Sequence, residues 1–384
     1  MTPPPTADEH WLDVRQQIPV TDRWAYFDHA GVAPLPAPAR DRLKAWADDA
    51  AESGDVNWSR WHRAVGNLRN LAAALITAEP DELAVVRNTT EGLSLVAEGY
   101  PWRPGDNVVI TGGDFPTNVY PWLNLQSRGV EVRPMDVNGG CITADLVRET
   151  LDKHTRMVAI SWVHFASGWR ADLDAIAAVA HDAGALVCVD AIQGLGVLPL
   201  DVSQTPVDFL AADGHKWLLG PEGAGLLYVR RPHLDRLRTI GVGWNSVVQP
   251  FDYDHIDLVL KPAAARYEGG TYPMAAVVGL EASLGLLGRY PLGEVSARAL
   301  AVAESIRCRL SDLGAQVVQF ERPENRSAIV SFDFAGDDVS RYPRACRDAG
   351  VVINHRGGRL RASPHVYTTA DDIDRLVEAL AALR

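Results

Sequence analysis

The sequence is poor in cysteine and has no block of basic residues. Its 384 residues include four dispersed cysteines, without a C-x-x-C motif. This usage argues against a disulfide framework or a zinc ribbon and is typical of a reducing cytosol, so we expect a cytoplasmic protein. Lys and Arg number 37 against 49 Asp and Glu, for a net charge of −12. Because nucleic acids and anionic membranes bind clustered cations, we expect neither as a partner.

Long apolar runs and several common enzyme motifs are also missing. No stretch of about 18 uncharged apolar residues could span a bilayer. The beginning, "MTPPPTADEHW", lacks the basic start and apolar run of a signal peptide. The motifs G-x-G-x-x-G, G-x-x-x-x-G-K-[ST], H-E-x-x-H and G-x-S-x-G do not occur. The sequence therefore does not favour a nicotinamide dehydrogenase, a P-loop NTPase, a zinc protease or an α/β-hydrolase. We also expect no metal site.

Short apolar segments alternate with helical patterns from residue 83 onward. Segments such as "DNVVITGG", "RMVAISWVHF" and "ALVCVDAIQG" are typical of buried strands, and amphipathic helical stretches separate them. This alternation predicts βαβ units and a mostly parallel sheet. After residue 300 the order of elements changes and predicts a smaller α+β domain. We place a loose lead-in at 1–25, a large domain at 26–285, whose N-terminal part also contributes to the small domain, and a small domain at 286–384.

Three polar features follow strands of the alternating region. Thr89 and Thr90, in "NTTEG", open a helix, where hydroxyls and free backbone N–H groups can hold a phosphate. Asp190 ends an apolar strand, where a carboxylate is unfavourable unless it meets a cation. Lys216, in "DGHKW", lies among apolar residues, which disfavour a charged amine. Each feature alone has an ordinary explanation as a helix cap, a turn residue or a surface charge.

Together, these features match the requirements of pyridoxal 5′-phosphate (PLP). This cofactor needs a cradle for its phosphate, an acid beside its pyridine nitrogen and an amine that forms a Schiff base. The three features occur at loop ends of one predicted α/β domain. The sequence therefore predicts a PLP enzyme.

The amino-acid sequence of these segments resembles the class V aminotransferase and cysteine desulfurase family of fold-type I PLP enzymes. That family also includes kynureninases, isopenicillin N epimerases and C–S lyases. The resemblance runs from "YFDHAGVAPLP" to "RASPHVYTTADDIDRLVEAL" and is most specific in "VDAIQGLGVLPLDV" and "DFLAADGHKWLLGPEGAGLLYVRR". It implies an α/β fold with a large domain around a mostly parallel, seven-stranded-type sheet and a smaller α+β C-terminal domain.

The resemblance also implies how the cofactor is held. Lys216 matches the Schiff-base lysine, Asp190 the partner of the pyridine nitrogen, and Gln193 the residue that hydrogen-bonds the ring hydroxyl. Phe115, in "GDFPTN", matches the residue that stacks on the ring. The implied phosphate contacts are Thr89, Thr90, Asp213 and His215. Thr271 matches a residue that reaches the phosphate of the neighbouring subunit, which implies a homodimer with shared sites.

The substrate side of the site is implied in the same way. Arg361, in "RLRAS", matches the arginine that grips the α-carboxylate of an amino-acid substrate, a task suited to its planar fork. Asn57 and His29 fall in N-terminal segments that border the site in the family. A substrate contact and a plain structural role are equally open for these two residues.

The reaction type is argued from the position of the cysteines. A desulfurase of this family presents a nucleophilic cysteine shortly before the carboxylate-binding arginine, but the segment "VVINHRGGRLRAS" contains none. We therefore predict a cysteine-independent β-elimination (C–S) lyase in which Lys216 moves the Cα proton. A class V aminotransferase and an amino-acid epimerase are the alternatives, and a cysteine desulfurase ranks below them. A non-catalytic PLP-fold protein ranks last, and the side chain of the substrate stays open.

Overall fold

The computed structural model describes residues 7–384 of the chain. Its α-helices are α1 Ala7–Gln16, α2 Ala37–Ser53, α3 Trp58–Ile76, α4 Thr89–Gly99, α5 Tyr120–Leu123, α6 Ala144–Thr150, α7 Leu173–Asp182, α8 Met274–Leu287, α9 Leu292–Asp312, α10 Tyr342–Asp348 and α11 Ala370–Ala381. Its strands are β1 Ala25–Tyr26, β2 Leu83–Val86, β3 Asn107–Thr111, β4 Glu131–Met135, β5 Thr155–Ser161, β6 Leu186–Asp190, β7 Phe209–Asp213, β8 Gly225–Val229, β9 Gln316–Val317, β10 Val330–Asp333, β11 Val351–Val352, β12 Asn354–Arg356 and β13 Arg359–Ala362. None of these helices combines the length and the apolar composition needed to cross a membrane.

A seven-stranded sheet with the order β2-β8-β7-β6-β5-β3-β4 forms the centre of the molecule. The strands from β7 to β4 pair in parallel, and β8 is antiparallel to both of its neighbours. Successive residues of a strand enter different cores: Val187 and Val189 pack on one face of the sheet, Cys188 on the other. Burial on both faces explains why the strands are continuous apolar runs. The predicted mostly parallel, seven-stranded sheet is confirmed.

The C-terminal part of the chain builds a second, smaller sheet with the order β12-β13-β10-β9, and all of its pairs are antiparallel. Strand β1 pairs in parallel with β11, which attaches the N-terminal segment to this region. Phe27 belongs to the same hydrophobic core as Phe332 and Leu376. The pairing brings residues near position 28 next to β13. The domain boundaries given above stay predictions.

The predicted loose lead-in is wrong for residues 7–16, which form helix α1. Trp11 and Val14 lie three residues apart and are buried against the core of the large sheet. The Arg15 guanidinium bonds the Asp372 carboxylate, with 2.6 Å between Nη1 and Oδ2. Burial of one helix face therefore orders a segment that follows a proline-rich start and carries several acidic residues. Residues 17–25 of the predicted lead-in are ordered as well, with Ile18 and Ala25 buried, and residues 1–6 lie outside the described part of the chain.

Candidate active site

A cavity of about 450 Å³ lies at the carboxyl ends of the parallel strands. Asp190 is the last residue of β6, Asp213 is the last residue of β7, and both line the cavity. Parallel strands end at one edge of a sheet, and this edge is the usual ligand site of such folds. The cavity brings together most of the residues that the sequence predicts for the site: Thr89, Thr90, Phe115, Asp190, Gln193, Asp213, His215, Lys216 and Arg361.

Burial favours the neutral, nucleophilic form of the Lys216 amine, since only 8% of the residue is exposed. Burial lowers the pKa of Lys216 to about 8, while the charge of Asp190 raises this pKa and that of Arg361 lowers it. The neutral amine is the form that attacks a carbonyl carbon. Its nitrogen lies 5.6 Å from the centre of the Phe115 ring. The cavity therefore holds a reactive amine beside an aromatic face.

Asp190 is a buried carboxyl group whose Oδ1 accepts a hydrogen bond from the N–H of Ile192 at 3.0 Å. Burial raises the pKa of Asp190 to about 7. The Ile192 N–H and the Lys216 charge oppose this shift, and the Asp114 charge adds to it. A cation inside the cavity would stabilise the ionised form of Asp190. This is the environment that a protonated ring nitrogen requires.

Helix α4 begins at Thr89, beside the cavity. Asn88 caps this helix by accepting a hydrogen bond from a first-turn N–H at 2.9 Å, and helix N-termini of this kind favour anions. The two threonine hydroxyls differ in their tasks. Thr89 Oγ1 accepts a hydrogen bond from the N–H of Asp213 at 2.9 Å, which ties α4 to β7. Thr90 Oγ1 lies 2.8 Å from the hydroxyl of Thr117 at an exposed position, where it can also meet a phosphate.

Gly92 allows α4 to approach the sheet closely. A Cβ atom on Gly92 would lie 2.7 Å from the Cβ of Ala211 in β7, which is closer than side-chain atoms pack. A larger residue would push the start of α4 away from the end of β7. The glycine of "NTTEG" therefore helps to place the predicted phosphate site.

Arg361 is 98% buried in β13, and its guanidinium group is oriented by two hydrogen bonds. Nη1 donates to the carbonyl oxygen of Phe165 at 2.8 Å, and Nη2 donates to Asp28 Oδ1 at 3.1 Å. Its Nε is buried and has no hydrogen-bond partner. Asp28 is held in turn by Asn354, whose Nδ2 donates to Oδ2 at 2.7 Å. The unpartnered Nε–H is a donor that suits an incoming carboxylate.

Asp28 and Asn354 line the cavity but are absent from the predicted site, and Phe165 lines it beside them. Phe165 packs edge-on against Phe115, with ring centres 5.4 Å apart. The one available signal for Asp28 is its place in the family-like segment "YFDHAGVAPLP". Its contact with Arg361 spans 333 positions of the chain, so no local pattern could reveal it.

Three of the predicted site residues do not line this cavity. Thr271 lines a neighbouring groove of about 1020 Å³, which it shares with Thr90. The Asn57 amide donates to Asp49 Oδ1 at 2.6 Å, just before helix α3. His29 is fully buried, with its Nδ1 2.8 Å from the carbonyl oxygen of Ser363. The polar groups of Asn57 and His29 are thus engaged within the chain, and a substrate contact of either residue stays a prediction.

The fold and this arrangement define a fold-type I enzyme that depends on PLP. The cavity fits the cofactor: Lys216 would supply the amine for its aldehyde, and Asp190 would supply the carboxylate for its ring nitrogen. The N-terminus of α4 and Thr90 suit its phosphate, and Phe115 offers an aromatic face to its ring. The free Arg361 Nε–H leaves a place for the carboxylate of an amino acid.

Comparison with known proteins identifies the family. Residues 25–376 match the family model described as Aminotransferase class-V, and the chain belongs to this family. It is 30% identical over 390 residues to a probable cysteine desulfurase of Methanothermobacter thermautotrophicus, with 96% of each protein covered. It is 30% identical over 399 residues to the cysteine desulfurase CsdA of Escherichia coli, with 95% of this chain and 96% of CsdA covered.

A solved structure shows the same fold with the cofactor in place. It is a lysine-to-alanine mutant of C-DES with glycine covalently linked to PLP. The TM-score is 0.90 at 25% identity, and the match covers 96% of this chain and 98% of that one. The predicted family, the fold and the cofactor are thereby confirmed.

The predicted reaction is wrong. The absence of a cysteine before Arg361 suggests a cysteine-independent lyase and ranks a cysteine desulfurase below the aminotransferase and the epimerase. However, both of the relatives above are named cysteine desulfurases. The prediction depended on whether one loop contains a cysteine. A thiol that accepts sulfur can also come from elsewhere, so the absence of that cysteine does not exclude sulfur transfer.

Proposed function

We propose that this protein is a cysteine desulfurase, which removes the sulfur atom of cysteine and leaves alanine. One observation carries the proposal: Lys216, Asp190 and Arg361 line a single cavity of about 450 Å³. The amine, the acid and the carboxylate-binding cation needed to process an amino acid are thus in one place. The 30% identity to two proteins named cysteine desulfurases supports cysteine as the substrate.

Arg361 binds the α-carboxylate of the substrate in this proposal. Its guanidinium group is held in the cavity wall by Phe165 and Asp28, so it does not have to be ordered when the substrate arrives. Charge-assisted hydrogen bonds to a carboxylate are roughly twice as strong as neutral ones. Asp28 balances part of the guanidinium charge, which makes burial of Arg361 tolerable before the substrate binds.

Lys216 moves the proton at Cα. The bound cofactor supplies an electron sink for the charge that develops there. A base works best when its pKa lies near the working pH, and the pKa of Lys216 is lowered to about 8. Asp190 lies close enough to affect this pKa, so the acid and the base of the site act on one another electrostatically.

Removal of sulfur balances with one thiol as co-reactant. The C–S bond of cysteine breaks, and a new S–S bond forms on the acceptor thiol. The carbon that loses sulfur gains a proton, so cysteine and a thiol give alanine and a persulfide. Among residues 7–384 no cysteine lines the cavity, so the acceptor thiol has to enter from outside its wall.

The sulfur product provides the test. We expect the PLP-loaded protein, given cysteine and a small thiol, to form one alanine for each cysteine consumed, with the sulfur recovered as persulfide or as the sulfide that a further thiol releases from it. Persulfide is measured as thiocyanate after reaction with cyanide, and mass spectrometry of the protein shows whether any of its own cysteines carries the extra sulfur. Serine, which has no sulfur, is the matched control and should give none. Sulfide accompanied by pyruvate, without alanine, would contradict the proposal.

We further propose that the protein acts as a cytoplasmic homodimer. Exposed apolar side chains cluster in the segment 242–259, among them Trp244, Phe251, Tyr253, Ile256 and Leu258. Apolar clusters of this kind mark protein–protein interfaces. Thr271, which the family resemblance assigns to the neighbouring subunit's phosphate, lines the groove next to the cofactor cavity. All four cysteines are free, which supports a reducing compartment.

Sedimentation of the purified protein tests the dimer. The expected mass is twice the 41.8 kDa of one chain. Replacement of Ile256, which is 89% exposed, by glutamate should shift the population toward the monomer if segment 242–259 is the interface. A species of one chain mass for the unchanged protein at micromolar concentration would contradict the dimer.

A further inference from the structure

Trp217 follows Lys216 directly, and its indole lies behind the cavity wall, 99% buried. Its ring stacks near two histidine rings, at 5.9 Å and 29° from His29 and at 6.0 Å and 27° from His365. Packing on this scale holds the indole in one orientation.

The indole N–H of Trp217 donates to Oε1 of Gln193, with 3.0 Å between the two atoms. The Gln193 Nε2 donates to the backbone carbonyl oxygen of Ala30, also at 3.0 Å. An indole N–H can only donate and a carbonyl oxygen can only accept. A rotated amide would therefore place donor against donor and acceptor against acceptor. These two contacts determine which end of the Gln193 amide is oxygen and which is nitrogen.

One hydrogen of the Gln193 amide is left over. The NH₂ group carries two hydrogens, and Ala30 accepts one of them. Gln193 lines the cavity that contains Lys216 and is 96% buried. A cofactor atom that meets this free N–H from the cavity must be a hydrogen-bond acceptor.

We propose that Trp217 is a positioning residue that holds Gln193 as a hydrogen-bond donor to the ring oxygen of PLP. The inference rests on the proposed PLP contact of Gln193 and does not depend on the substrate. A donor at this oxygen withdraws electron density from it. The proton that the ring oxygen shares with the Lys216 nitrogen is then held less tightly, so it dissociates at lower pH.

The test measures the pH midpoint of the visible absorption band of PLP bound to Lys216. Trp217→Phe keeps an aromatic ring but removes the N–H, so the Gln193 amide can rotate. We expect the midpoint to rise by roughly half to one pH unit. Trp102→Phe is the matched control, because its indole N–H donates to the Ala97 carbonyl oxygen outside the cavity, and it should leave the midpoint unchanged.

A double-mutant cycle separates positioning from packing. Gln193→Met keeps the length of the side chain but cannot donate, and it should raise the midpoint at least as much as Trp217→Phe. The combined variant should match Gln193→Met alone, because no amide is left to orient. An unchanged midpoint in Trp217→Phe, or an additive shift in the combined variant, overturns the proposal. If Trp217→Phe does not fold, an unchanged midpoint in Gln193→Met overturns it as well. Failure of sulfur transfer alone leaves all of these spectra unaffected.

Discussion

Lys216→Ala is expected to lower kcat/KM for cysteine by roughly 10⁴-fold or more. Lys216 is the only lysine of residues 7–384 that lines the cavity, and no neighbouring amine can replace it. In the proposed function this nitrogen holds the cofactor and moves the proton at Cα. Alanine can perform neither. The variant should also lack the visible absorption band that borohydride bleaches in the unchanged protein.

Lys153→Ala is the matched control, since Lys153 is an exposed lysine of the same chain. It should keep both the activity and the absorption band. An added small amine such as methylamine should restore part of the activity of Lys216→Ala if proton transfer is the lost function. A Lys216→Ala variant that retains activity within tenfold of the unchanged protein would refute the assignment.

Arg361→Lys is expected to raise KM for cysteine by about 10²–10³-fold, with a smaller change in kcat. Lysine keeps the positive charge but lacks the planar fork, so it cannot bond Phe165, Asp28 and a substrate carboxylate together. The variant loses binding energy for the substrate carboxylate. This binding energy is the same in the ground state and in the transition state, so KM changes more than kcat. Initial rates over a range of cysteine concentrations separate the two constants.

Arg359→Lys provides a close control on the same strand. Arg359 lies two residues before Arg361 in β13, and its guanidinium group bonds Asp333 at 2.9 Å on the protein surface. This partly exposed pair lies outside the lining of the cavity, and lysine keeps its charge, so the variant should behave like the unchanged protein. Equal changes of KM in the two variants would mean that Arg361 acts through the fold and does not bind the substrate.

Much of the fold could be predicted because its strands carry a clear signal. "RMVAIS" and "LVCVD" are uninterrupted apolar runs, and they become β5 and β6 at the centre of the sheet. The antiparallel insertion of β8 between β2 and β7 could not be predicted in this way. Apolar content shows that a strand is buried, but it does not show the direction or the order of the strands. Helix α1 was missed because its stability comes from contacts with distant residues such as Asp372.

The cofactor half of the site was accessible from the sequence, whereas the contacts around Arg361 were not. Asp190 and Lys216 are charged residues beside apolar strands, which is unusual enough to be noticed in the sequence. Asp28 reaches Arg361 only because β1 pairs with β11. The contact between Trp217 and Gln193 depends on the orientation of two side chains, which no spacing reveals. Such contacts follow from tertiary packing and require coordinates.

The reaction was the weakest inference from sequence because it depended on an absence. The segment before Arg361 contains no cysteine, and this excludes only that segment as the source of the thiol that accepts sulfur. It does not determine which bond of the substrate breaks. The residues that line the cavity suit amino-acid chemistry, and the relatives named cysteine desulfurases support the proposal that sulfur is the group removed.

The carbon product of cysteine tests the central claim most directly. Cysteine labelled with ¹³C at C3 should be incubated with the PLP-loaded protein and a thiol, and the products followed by NMR. We expect the label to appear in the methyl group of alanine, in step with the loss of cysteine, and we expect Lys216→Ala to form no labelled alanine. Label in the methyl group of pyruvate, with little or none in alanine, would contradict it.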